Sequence, residues 1–247
     1  MTAERTHFLS PRIFPCDVDG HMIVLDLGAD RYARLGDVEA AVLRHLFGGQ
    51  GKHSTPAPPS LEASLDRLVE EGILTTDAVT GREAFPELPG QVMLDLKGYP
   101  HDGIPKIRMG HIVNCACAFV CAKFMRHFHS IERTVLRVKS RRERALANAG
   151  RPKSKKEGRL PEVDLARIRE LVEIFRILKG LFYTGKGRCL FDSLTLIEFL
   201  AIYRIYPLWV FGVQMGPFVA HCWVQDDRFI YNDSADSTGS FKPIMSV

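Results

Sequence analysis

Two short apolar runs, His21 to Leu27 and Arg31 to Leu35, flank Gly28-Ala29-Asp30 and predict a β-hairpin. Asp37 then reads as the N-cap of a helix in which Val38, Ala41, Val42 and Leu46 recur at helical spacing until Gly48-Gly49 stops it. Lys52 to Ser60 carries Pro56, Pro58 and Pro59 and reads as a loop. Ser60 caps a second helix, whose Leu61, Leu65, Leu68 and Val69 form one stripe ending at Gly72, before a short extended run from Ile73 to Thr76. Glycine and proline are dense from Asp77 to Gly110, which places a domain boundary there. Farther on, helices are expected over Ile112 to Val138, broken once at most, from Pro161 to Gly180, and from Leu190 to Tyr203. Strand patterns close the chain: Leu208 to Val213, Phe218 to Gln225 and Phe229 to Asp233, the last two joined at Asp226-Asp227-Arg228. The pattern is α+β, with domains at 1–88 and 111–247 and a linker over 89–110.

Hairpin, helix, loop, helix and strand suit a small winged-helix-like module, and charge decides what such a module binds. Met1 to Leu88 holds 8 Lys/Arg against 14 Asp/Glu, a net −6, whereas Arg133 to Arg159 holds 11 against 2, a net +9. Glu62, Asp66, Glu70 and Glu71 outnumber Arg67 on the second helix, so it lacks the cations that phosphates require, and nucleic acid is excluded as a partner. The basic stretch reads as a solvated helix end running into a loop, since Gly150, Pro152 and Gly158 interrupt it. No apolar run is long enough to span a bilayer and no signal peptide is visible, so a cytoplasmic protein with reduced thiols is expected.

Two motifs invite chemistry that their contexts do not support. Cys115, Cys117 and Cys121, with His111, His127 and His129 nearby, suggest a metal. On a helix, however, Cys115 and Cys117 project to opposite sides and no C-x-x-C pair exists, so no metal is expected. Gly180 to Lys186 fits the G-x-x-x-x-G-K of a phosphate loop, but Gly187 stands where Ser or Thr is needed and the segment trails a helix rather than a strand.

The order Cys189, His221, Asp233 is the one a papain-like or transglutaminase-like site needs. Cys189 sits at a helix start, where unpaired N–H groups and the helix dipole favour thiolate. Its own N–H is a candidate oxyanion donor, with Tyr183 the candidate for the second. If the last hairpin has a three-residue loop, Gln225 pairs with Phe229 and His221 stands opposite Asp233; a two-residue loop sets it opposite Asn232. Asp192, Asp226, Asp227 and Asp236 read as turn or surface acids.

The carboxy-terminal motifs Arg188-Cys189-Leu190-Phe191-Asp192-Ser193-Leu194, Val210-Phe211-Gly212-Val213, Pro217 to Gln225, Asn232-Asp233 and Pro243-Ile244-Met245 resemble the lasso peptide B protein, a transglutaminase-like cysteine protease. At the front, Val24 to Leu27, Tyr32 to Leu35, Leu43 to Gly48 and Leu65 to Leu74 resemble the RiPP recognition element, a module similar to the pyrroloquinoline quinone peptide chaperone. The resemblance implies a leader peptidase without cofactor, in which Cys189 is nucleophile, His221 general base and acid, and Asp233 its orienter. It implies a ribosomal precursor peptide as substrate and an ATP-using lasso cyclase as partner, with Cys222 and Gln225 dispensable. The leader would add as a strand along Arg31, Tyr32, Ala33, Arg34 and Leu35, against a groove wall of Leu61, Leu65 and Leu68. An acyltransferase on the same fold, and a non-catalytic peptide-binding adaptor, are the alternatives.

Overall fold

The structure is a computed structural model that describes residues 7–48, 61–90, 92, 94–96, 105–149, 165–183 and 188–247. The expected loop at 52–60 with its Ser60 cap, the helix start at Pro161, residues 150–159 of the basic stretch and residues 184–187 lie outside the described residues. The chain separates into two compact units, Met1–Leu88 and Pro89–Val247.

In the first unit β1 (Phe8–Leu9) leads to β2 (Ile13–Val18), β3 (His21–Asp26), β4 (Arg31–Arg34), α1 (Asp37–Phe47), α2 (Leu61–Glu70) and β5 (Leu74–Thr75). β1 pairs with β5, and β2, β3 and β4 form an antiparallel sheet in that order. The hairpin expected from the sequence is β3 and β4. The strand before it, β2, lacks a clear strand pattern because Pro15 and Asp17 interrupt it. Pro15 is accommodated because β2 is an edge strand, where a missing N–H leaves no central ladder broken. Asp19 and Gly20, both at positive φ (51° and 81°), close a two-residue turn between Val18 and His21, and Asp17 Oδ1 accepts the Gly20 N–H at 3.0 Å.

Helix α1 starts one residue earlier than the pattern suggests: Gly36 occupies the cap position and Asp37 lies in the first turn, where its charge complements the helix dipole. Its buried residues are Ala40, Val42, Leu43 and Phe47, while Val38 is exposed. These residues pack with Leu9, Ile13, Met22, Val24, Leu35, Leu68, Ile73 and Leu74 into one core. Gly72, at φ 73°, ends α2 as expected, with the Ile73 N–H donating to Leu68 O at 2.9 Å.

The second unit runs β6 (Leu94–Asp95), α3 (Met109–Phe128), α4 (Ile131–Ala149), α5 (Leu165–Lys179), α6 (Cys189–Ile202), β7 (Leu208–Gln214), β8 (Val219–Gln225), β9 (Phe229–Ile230), α7 (Ala235–Gly239) and β10 (Lys242–Ser246). Its sheet has the order β10-β7-β8-β9-β6, antiparallel except where β6 runs parallel to β9. The stretch 89–110, expected as a linker, thus contributes a strand, and Val92 and Leu96 are buried beside it. The long helix over 112–138 is two helices broken at His129-Ser130. Ser130 Oγ accepts the Arg133 N–H at 3.2 Å and so opens α4 with a cap.

Helix α6 is buried along almost its whole length, Asp192 to Leu200, packed against β8 on one side and α3 and α5 on others. Part of α4 corrects the solvated reading of the basic stretch. Arg141 makes a two-pronged ion pair with buried Glu198 of α6, at 2.8 and 2.7 Å, and Arg142 donates to Tyr206 O. A buried carboxylate needs such a partner, so Arg141 anchors α4 to the core instead of facing water.

Candidate active site

Cys189 is the first residue of α6, with Arg188 at the cap position and the Asp192 N–H already donating to Arg188 O at 2.9 Å. Because α6 packs on β8, this end of the helix meets His221 and Cys222. Hydrogen bonding to the thiolate form, from the Cys222 side chain first and then from His221 and the Cys222 main chain, outweighs burial and lowers the Cys189 pKa to about 4. His221 Nε2 lies 2.5 Å from Asp233 Oδ2. Burial opposes a charged ring, but the hydrogen bonds to Asp233 and Cys189 win and raise the His221 pKa to about 9. Burial likewise disfavours the Asp233 carboxylate, and the bonds it accepts from His221 and the Ser234 N–H hold its pKa below the ordinary value. At neutral pH the three groups are thiolate, imidazolium and carboxylate.

The hairpin that brings His221 to Asp233 is not in the three-residue register. Gln225 pairs with Ile230, one position beyond Phe229, and the Asp226 N–H donates to Phe229 O across a tight turn. A one-residue slip would point Asp233 to the wrong face of a continued ladder. The ladder does not continue: β9 ends at Ile230, the Tyr231 N–H still reaches Val224 O, and Asn232 Oδ1 accepts the Val224 N–H at 2.8 Å. A side chain thus takes the place of a main-chain acceptor. The backbone is released to bend, and Asp233 reaches His221 from outside the sheet. Asn232, the alternative partner of His221, has this other task.

Asp192, read as a surface acid, is buried and joins three segments. Its carboxylate accepts from Lys179 Nζ at 2.8 Å, Tyr183 OH at 2.8 Å and Asn232 Nδ2 at 3.3 Å. Ser193 Oγ accepts from Asn232 Nδ2 at 3.0 Å and donates to Cys222 O at 3.2 Å. Tyr183 therefore spends its proton on Asp192 and is not the second oxyanion donor that the sequence suggested. Asp226 is the turn acid expected, accepting from the Arg228 and Phe229 N–H groups. On the other side of His221, Phe241 and Trp223 flank the ring at centroid distances of 5.1 and 6.1 Å. The Trp223 indole donates to buried Gln225 at 2.6 Å.

A cleft of about 630 Å³ opens onto Cys189, lined also by Phe119, Lys123, Arg126 and His127 of α3 and by Phe182, Tyr183, Arg188, Leu190 and Phe191. No pattern in the sequence pointed to the α3 residues, since they lie far from Cys189 along the chain. The α3 cysteines are not part of the cleft: Cys115 is buried and pushed up to about 11 by that burial, and Cys121 donates to Glu198 at 3.6 Å. Among the described residues no group of three or more His, Cys, Asp or Glu side chains could hold a metal, and no helix is long and apolar enough to cross a membrane.

In the first unit, β4 carries Arg31, Tyr32, Ala33 and Arg34 as the outermost strand of its sheet. Leu35 and Leu68 belong to the core, Leu68 with no exposed surface, whereas Leu61 and Leu65 are partly buried at its margin. A groove wall there would consist of Leu61 and Leu65, with Leu68 supporting them from within.

Residues 131–246 match the model of the transglutaminase-like superfamily, from the first residue of α4 into β10. This part of the chain is a transglutaminase-like domain, and the cysteine-first order of its site fits that class. No curated protein and no solved structure matches the chain.

Proposed function

We propose that this protein is a cysteine peptidase of lasso peptide maturation, which binds the leader of a ribosomal precursor through its first unit and hydrolyses the leader/core bond in its second. The observation that carries the peptidase reading is the His221–Asp233 pair, 2.5 Å apart, beside a Cys189 thiol of lowered pKa at the edge of an open cleft. The thiolate attacks the scissile carbonyl, and a C–S bond forms as the carbonyl π pair moves to oxygen. Imidazolium His221 gives its proton to the departing amine as the C–N bond breaks, leaving an acyl-enzyme. Neutral His221 then takes a proton from water, which attacks the thioester, releases the leader as a carboxylate and restores the thiolate. Asp233 holds the ring in orientation throughout and stabilises its charged form.

The leader assignment rests on the motif resemblance of both units and on β4, an edge strand able to accept a further strand. Gripping the leader raises the effective concentration of the scissile bond at Cys189 without any new contact there. The freed core amine is the group that a lasso cyclase, the expected ATP-using partner, would join to an acidic side chain. The superfamily match favours a second reading in equal measure, transfer of the acyl group to an amine in place of water.

Both readings meet one experiment: the protein is incubated with the precursor encoded beside it, with and without cyclase and ATP, and product masses are measured. Hydrolysis gives free leader and core, transfer gives a covalent adduct, and Cys189→Ala gives neither while keeping leader binding. If wild type and Cys189→Ala leave the precursor equally intact under every condition, the chain is a binding protein and the peptidase reading fails.

A further inference from the structure

The cleft beside Cys189 has a composition that speaks to its substrate. Its floor is a cluster of four rings: Phe119 stacks on Phe182 and Tyr183 at 5.5 and 5.9 Å, and Phe191 meets Phe119 and Tyr183 edge-on at 5.6 and 5.1 Å. The cluster is rigid, because the Tyr183 hydroxyl is tied to Asp192 and Phe191 belongs to α6. Such a floor offers large apolar area already in place, so little ordering cost is left for a bulky side chain that lands on it.

The rim is cationic. Phe119, Lys123 and Arg126 recur at i, i+4 and i+7 on one face of α3, and Arg188 precedes the nucleophile from the other side. None of the ten lining residues is a carboxylate. Lys123, Arg126 and Arg188 have no carboxylate within ion-pair distance among the described residues, unlike Arg141, Arg176 and Lys179, which do. The nearest acid along α6, Asp192, is already held by Lys179 and Tyr183. A concave site with low-dielectric walls and one sign of charge focuses its field on whatever enters, and arginine adds a two-pronged fit to a carboxylate. The volume of about 630 Å³ is that of a site for a short segment of chain.

From the cleft's rings and cations we infer that it selects a peptide segment carrying an acidic side chain beside a bulky apolar one, close to the bond presented to Cys189. The inference deepens the peptidase reading and rests on Cys189 as the reactive thiol. It concerns only the residues next to the cut, whereas the leader is recognised elsewhere.

Alkylation of Cys189, followed by mass spectrometry of its own peptide so that exposed Cys117 does not interfere, tests the cleft without requiring turnover. Iodoacetate and iodoacetamide differ in little but charge. The ratio of their rate constants at Cys189 is expected to fall about fivefold or more in a Lys123→Glu/Arg126→Glu variant, and to fall with rising salt in the wild type. Protection of Cys189 from iodoacetamide then reads the peptide preference. Acetyl-Phe-Asp-Phe-amide should protect at concentrations several-fold lower than acetyl-Phe-Lys-Phe-amide or acetyl-Ala-Asp-Ala-amide, and the double variant should erase the Asp over Lys preference. Equal protection by the Asp and Lys peptides, or a reagent ratio that ignores both salt and charge reversal, overturns the inference while leaving a reactive Cys189 in place. A Cys189 no more reactive at neutral pH than Cys117 overturns the peptidase reading as well.

Discussion

The low pKa of Cys189 comes from its neighbours, not from the thiol's own chemistry. Three hydrogen-bond donors and a helix start offset the cost of burying a thiolate, and the result is a pair in which Cys189 titrates near 4 and His221 near 9. The sign of the pH dependence follows. Below about pH 4 the thiolate is protonated and attack fails; above about pH 9 His221 has lost the proton that the leaving amine needs. Precursor cleavage is expected to be bell-shaped with limbs near those values. Alkylation by iodoacetamide should keep only the acid limb, because it needs thiolate and no proton donor. Rate constants measured across the pH range for both reactions check this, and an alkylation limb at the ordinary thiol pKa would contradict it.

At the scale of elements, the hairpin of β8 with β9 and the strand β7 paired beside β8 position the site. Gly212 lies opposite His221, and a Cβ there would come within 2.8 Å of the Trp223 ring and 3.0 Å of Phe241, the two rings that flank His221. Gly212→Ala should therefore cost about 2 kcal/mol of stability through overpacking, read by urea unfolding, and slow cleavage by displacing those rings. On the first unit, the Leu35 N–H donates to Met22 O, so alternate residues of β4 face β3, and Arg34 turns its N–H outward. Arg34→Pro leaves the ladder to β3 intact while removing a donor from the outer edge. Leader binding, followed by fluorescence anisotropy of a labelled leader, should weaken at least about tenfold with little change in the unfolding midpoint. A variant that binds as well as wild type would place the leader elsewhere.

For the whole molecule, two compact units in one chain suit a division of labour between grip and cut. If the chain is supplied as separate 1–88 and 89–247 polypeptides at micromolar concentration, cleavage of the precursor should slow by about a hundredfold, because the second encounter is no longer intramolecular. Cleavage at an undiminished rate would remove leader capture from the mechanism.

Much of this architecture was legible in the sequence because it depends on local physics. The apolar stripe of α2, the Gly72 stop, the helix start at Cys189 and the strands β7 and β8 each follow from spacing or from a residue's own backbone preferences. The misses share a cause. β2 was hidden because Pro15 is tolerable only at a sheet edge, and edges are a property of the assembled sheet. Asp192 looked like any helix acid because its partners Lys179, Tyr183 and Asn232 lie 13, 9 and 40 positions away.

The sequence by itself thus determined which groups are present and in what order: a thiol at a helix mouth, an imidazole on a strand, a carboxylate at the end of the next one. Only the tertiary structure decided how they meet. The hairpin register differs by one residue from the one that would set His221 opposite Asp233. Contact is restored because Asn232 substitutes its side chain for the ladder and frees the backbone to turn. That outcome, and the basic aromatic cleft that α3 builds over Cys189, depend on hydrogen bonds and packing between distant segments, which no local pattern encodes.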